Sequence, residues 1–180
     1  MRRRDEADFT EFAAAAIGRL RRTAYLMCGD WHRAEDAAQD ALVRIYRRWD
    51  RLNRVQGLNT YAHRVVVSVV LDQAKRPWRR EHSTAEPGEQ LRPDHAATID
   101  HRHQVITALA GIPAGQRACV VLRHYADLSI EETAQVLGIG TGAVKSQTSR
   151  GLTALREQLN RPAPADDPAV HVNDNEGVLS

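Results

Sequence analysis

Lys145, Ser146, Ser149 and Arg150 recur at spacings of three and four, so a helix there presents cations and hydroxyls along one side. Such a side makes and breaks no bond; it binds. Positive heads and hydroxyls in that pattern suit phosphate oxygens and base edges in a duplex groove. A second cluster, Glu35, Asp36, Gln39 and Asp40, gathers carboxylates within two turns. Paired carboxylates can do acid–base work, but Arg33 and Arg44 stand at ion-pair spacing along a helix that reads as solvated. Phosphate is repelled by such a patch, so in a chain that binds DNA it points to a protein partner.

The other reactive side chains are scattered. His101 and His103, among 8 histidines, are two apart, which does not place both on one helix face. Cys28 and Cys119 stand alone, with neither a disulfide framework nor a cysteine zinc site suggested, and a reducing cytoplasm fits. No glycine loop that could cradle phosphate is present. The sequence therefore predicts no enzyme, no metal site and no cofactor.

The basic face needs a rigid helix beneath it, and the stretch SIEETAQVLGIGTGAVKSQTSRGLTALR, residues 129–156, has the spacing of a helix-turn-helix. Ser129 followed by Glu132 is a capping box. Ile130, Ala134 and Leu137 mark an apolar side, and Gly138 stands where a helix ends in a left-handed residue. The pattern predicts that Ala134 lets two helices cross closely, that Ile139 plugs the corner and that Thr141 caps the second helix. Val144, Leu152, Leu155 and Leu159 would be the buried stripe of that helix. An αα-hairpin that only packs explains the apolar positions equally well; the Lys-Ser-Ser-Arg face is what favours DNA.

The acidic cluster needs a helix too. Phe9, Phe12, Ala16, Ile17, Leu20 and Ala24 predict a first amphipathic helix ending near Gly29. Asp30 can cap a second, from Trp31 to about Trp49, with Ala34, Ala38, Ala41, Leu42 and Ile45 inward. Its late arginines, Arg44, Arg47 and Arg48, also suit the helix dipole. Residues 51–59 read as a loop, with Asn59 or Thr60 as the next cap. Tyr61 to Arg76 is rich in valine, which favours a strand, but its length and its stop before Pro77 decide for a helix, one apolar on several sides and so central.

Composition sets the remaining bounds. The chain has 180 residues, 42% of them hydrophobic, and a formal net charge of +2, too mild to announce nucleic acid by itself. Arg2, Arg3 and Arg4 are followed by acids where a signal peptide has its apolar core, so no export is expected. No run is long enough to span a membrane. The expected architecture is all-α: a helical domain over 1–77, a polar linker over 78–99, a helix-turn-helix domain over 100–160 and a disordered tail over 161–180, where Asp166, Asp167, Asp174 and Glu176 collect.

This order resembles an extracytoplasmic-function sigma factor of the sigma-70 superfamily. GDWHRAEDAAQDALVRIYRRWDR at 29–51 is similar to the family's core-binding helix, YAHRVVVSVVLDQAKR at 61–76 to the helix that meets the minus-ten element, and residues 112–156 to the C-terminal domain. The resemblance implies core RNA polymerase and promoter DNA as partners, with room for an anti-sigma factor, and a role in promoter recognition and strand opening. It assigns Glu35, Asp36, Gln39 and Asp40 to the polymerase. Thr141, Lys145, Ser146, Ser149 and Arg150 fall to the minus-thirty-five element, and Tyr61, Arg64, Ser68, Lys75 and Arg76 to the minus-ten element. Ser68 and Val67 depart from the family, where Asn and a basic residue are common, so the resemblance leaves minus-ten preference open. Two rival readings are a helix-turn-helix regulator that does not join the polymerase and a helical anti-regulator that binds protein only. The first half offers no receiver or ligand-binding sheet for the former, and the basic face argues against the latter.

Overall fold

The computed structural model describes residues 3–52, 57–74 and 96–161, all of it helix and connecting turn. Helix α1 (Arg3–Cys28) stops where Gly29 turns left-handed at φ 72°. Asp30 then caps α2 (Trp31–Tyr46), its carboxylate accepting from the Arg33 amide at 2.9 Å. The inward stripe of α2 is mostly alanine, Ala34, Ala37, Ala38 and Ala41, and these small side chains let α1 and α2 lie close along their length. The helix ends earlier than its spacing predicts. After Tyr46 the chain tightens into a 3₁₀ turn over Trp49–Arg51, which drives the Trp49 ring into the core between Phe9 and Phe12, each 5.2 Å away between ring centres. Burying that ring is worth roughly 1.5–3 kcal/mol.

Helix α3 (Leu58–Ala74) starts three residues before the expected Tyr61, launched from Gly57 at φ 77°. Asn59 and Thr60 therefore lie inside the helix and cap nothing. Its centrality is as expected: Ala62, Val66, Val67, Val69 and Val70 are all buried, with α1 and α2 on one side and a rear helix on the other. Lys75 and Arg76 fall outside the described residues.

Helix α4 (Ala96–Ala110) begins inside the segment read as linker, so 96–99 belong to a helix whose apolar positions become periodic only later. Pro113 precedes α5 (Ala114–Val120), which continues into a π-helical turn over Val121–Tyr125 that the sequence pattern did not predict. Next come α6 (Ile130–Leu137) and α7 (Thr141–Leu159). Gly151 explains how closely α5 and α7 approach. A Cβ there would sit 2.7 Å from Val120 Cγ2 and 3.0 Å from the Gln116 carbonyl oxygen.

Front and rear helices share one continuous core, which runs from Leu20 and Val66 through to Leu109, Leu122 and Val136. The two halves are thus packed together, with α3 against α6 and α1 against α4 and α5. No helix among the described residues is long and apolar enough to cross a membrane.

Candidate nucleic-acid and partner interfaces

The helix-turn-helix is built as the sequence indicated at its entry and departs from it at the corner. Ser129 Oγ accepts from the Glu132 amide at 3.0 Å, while Glu132 Oε2 accepts from the Ser129 amide at 2.8 Å, closing the capping box. Gly138 is left-handed, and its amide and that of Ile139 both return to the Ala134 carbonyl. The N-cap of α7 is Gly140, with Thr141 already the first helical residue; an extended glycine leaves Thr141 exposed and free for another role. Ile139 does not plug the corner, being 37% exposed, and Leu159 lies 45% exposed at the end of α7. Val144, fully buried, anchors the helix instead.

Thr141, Lys145, Ser146, Ser149 and Arg150 are all exposed on α7. Their hydroxyls are not equivalent. Ser146 Oγ donates to the Ala143 carbonyl at 3.1 Å and so offers an outside group only lone pairs. The structure also splits the face. Lys145 and Ser149 open into a cleft of about 440 Å³ that runs along α7 to Arg156 and is walled by Arg123 and His124 of the π-helical turn, whereas Ser146 and Arg150 lie outside it. Arg123 donates to the Leu128 carbonyl, which fixes the turn ahead of the Ser129 cap.

On the front half, α2 presents distinct surfaces along its two exposed edges. Its crest carries Asp36, Gln39 and Asp40 in the open, followed by Val43 at 49% and Tyr46 at 42% exposure. Neither Asp36 nor Asp40 is in an ion pair among the described residues, contrary to the pairing expected with Arg33 and Arg44. Glu35 is set apart: it meets Arg21 at 3.5 Å, and the Arg21 guanidinium lies 4.7 Å from the centre of the Trp31 ring. An exposed valine beside unpaired carboxylates suits a protein surface that is basic and partly apolar.

The edge of α2 that faces α3 is basic. Arg44, Arg47 and Arg48 combine with Arg64, Tyr61, Val65 and Ser68 to line a cleft of about 470 Å³ that contains no carboxylate. Tyr61, Arg64 and Ser68 are thereby brought together in one cleft. Arg44 at the end of α2, and Arg47 and Arg48 just beyond it, suit the helix dipole by sequence, and only the crossing of α2 over α3 reveals that they share a cleft. A half-buried tyrosine ring among guanidinium groups can stack a base while the cations follow its backbone.

Comparison with known proteins follows the same two halves. Residues 13–80 match the family Sigma-70 region 2, and residues 102–155 match Sigma-70, region 4. The RNA polymerase sigma-E factor of Streptomyces avermitilis is 36% identical over 157 residues, which span 84% of this chain and 85% of that protein. The ECF RNA polymerase sigma factor SigM of Mycobacterium tuberculosis is 34% identical over 142 residues, 78% of this chain and 71% of that one. Among solved structures, the sigma factor RpoE in complex with the anti-sigma factor NepR from Bartonella quintana aligns with a TM-score of 0.72 at 22% identity, over 87% of this chain and 99% of that one. CnrH in complex with the cytosolic domain of CnrY aligns at 0.67 and 19% identity, over 88% and 91%. At those identities the structural likeness is one of fold.

Proposed function

We propose, for a chain that belongs to the extracytoplasmic-function RNA polymerase sigma factors of the sigma-70 family, a division of labour in which the two edges of α2 and the outer face of α7 each take a different partner. As a sigma factor the chain serves transcription initiation, joining core RNA polymerase and directing it to promoter DNA. Sigma factors are regulatory subunits; we read this one as non-catalytic and as working in the cytoplasm, where its template lies. In our reading Asp36, Gln39 and Asp40, extended by Val43, dock on the polymerase. Tyr61, Arg64 and Ser68, with Arg44, Arg47 and Arg48, hold the opened minus-ten strand, and Lys75 and Arg76 are assigned to the same element. Thr141, Lys145, Ser146, Ser149 and Arg150 meet the minus-thirty-five duplex.

The observation that carries this reading is the partition of charge around α2. Exposed carboxylates occupy its crest while arginines line the cleft toward α3, so one helix can face a protein and a phosphate chain together without repelling either. A regulator that does not engage the polymerase would have no use for that crest. The test is run-off transcription with purified core polymerase on fragments of the source genome. Defined transcripts that appear only when the chain is added support the reading, and a template response no different from core polymerase alone refutes it.

A further inference from the structure

The cleft along α7 has a chemistry of its own. Lys145 stands at one end and Arg156 toward the other, Arg123 and His124 form the far wall, Ile130 and Leu152 give it an apolar floor, and no carboxylate lines it. The hydroxyls of Thr148 and Thr153 donate to the Val144 and Ser149 carbonyls of the same helix, so they offer no proton outward. What remains free is positive charge around a greasy strip. A matching occupant is an extended segment with acids at both ends and small apolar side chains between them.

The chain supplies such a segment just beyond α7. Residues 166–176 read DDPAVHVNDNE, with Asp166 and Asp167 before Val170 and Val172, Asp174 and Glu176 after them, and no lysine or arginine. We propose that this segment lies in the cleft antiparallel to α7, its valines on Ile130 and Leu152, its first acids at Arg156 and its last acids near Lys145. The lengths agree. Residues 160–166 can span up to about 20 Å, enough for the chain to reverse after Leu159 and bring Asp166 to Arg156. Lys145 and Arg156 are separated by about 16 Å along the helix, and an extended run from Asp167 to Asp174 covers about 23 Å. Alternate residues of an extended chain share a side, so Val170, Val172, Asp174 and Glu176 face the same way. A tether this short supplies an effective concentration on the order of millimolar, so individually weak pairs suffice. One consequence follows for DNA, and it alone rests on the reading of α7 given above: the tail and duplex phosphates compete for Lys145.

The experiment uses the full chain and a variant with D166N, D167N, D174N and E176Q, compared by amide nuclear magnetic resonance spectra and by binding to a mixed-sequence 30-base-pair duplex. At about 50 mM salt the amides of Ile130, Leu152 and Arg156 shift between the two proteins, R156E produces the same shifts at Ile130 and Leu152, and about 500 mM salt erases the difference. The neutralised tail also tightens duplex binding by about tenfold, the worth of a few exposed ion pairs. Spectra that superimpose outside the substituted segment overturn the docking. Shifted spectra with unchanged duplex affinity uphold the docking and refute the DNA role of this face of α7.

Discussion

Thr60 Oγ1 donates a 2.7 Å hydrogen bond to Glu132 Oε1 across 72 residues of chain, tying the central helix of the front half to the first helix of the helix-turn-helix. Glu132 reaches the capping box through its other oxygen, so one carboxylate both starts α6 and fastens it to α3. Removing the Thr60 hydroxyl in T60V costs the seam about 1 kcal/mol, and E132A costs the cap as well, about 2 kcal/mol in all. Chemical denaturation of both single variants and the double checks this. The double variant should be no less stable than E132A within error, because the lost bond is shared; strict additivity would show that the two groups act independently.

Acid should loosen the same seam. His63 is buried on α3, with Nδ1 2.9 Å from the Asn59 carbonyl, and the groups facing it are Arg19 of α1 and Glu132 of α6. Burial pushes its pKa below the ordinary value, opposed by the Asn59 carbonyl bond, reinforced by Arg19 and opposed again by Glu132. The unfolded chain therefore binds the proton more readily. Stability should fall as pH drops below about 6.5 and level off once the folded-state pKa has been passed. Glu132 adds to this at lower pH: the Ser129 amide first and the Thr60 hydroxyl second hold its carboxyl below the ordinary 4.5, so its contribution, present above that value, is lost as pH falls through the depressed pKa. Urea midpoints across pH 4–8 for the wild type and H63Q test the histidine part. H63Q should flatten the slope just below neutrality, and an unchanged slope would remove His63 from the account.

Two glycines should respond in opposite directions to alanine. Nothing lies within 4 Å of a Cβ placed on Gly18, in the interior of α1, so G18A should stabilise the chain by about 0.5–1 kcal/mol. At Gly151 the same methyl meets Val120 and the Gln116 backbone, and G151A should destabilise by about 1–3 kcal/mol. Thermal melting of the two variants is the check. A neutral G151A would mean that α5 and α7 can part without cost.

These residues also show how far the sequence by itself discloses the fold. Ser129, Glu132, Gly138 and Val144 were legible because caps, left-handed turns and helical stripes are local, repeating within a few residues. Glu132 as a seam residue was not, because nothing near it in sequence names Thr60. Arg44 and Arg47 looked like dipole partners until α3 crossed beneath them, and nothing in the spacing around Gly151 announces that α5 fills the space beside it. The π-helical turn left no trace in the spacing. Local signals thus disclosed the helices and one face of each site, while the second wall of each cleft came from packing alone.

The central claim is that the crest and the cleft edge of α2 serve different partners, and holoenzyme assembly separates them most directly. Core polymerase is titrated with the wild type, with D36K/D40K and with R44A/R47A, and strand opening is followed on one template from the run-off set by reactivity of unpaired thymines. The account predicts that D36K/D40K weakens assembly by at least tenfold with its helical fold intact, while R44A/R47A assembles like the wild type and fails to open the strands. Normal assembly by D36K/D40K, or equal loss of assembly by both variants, would contradict it.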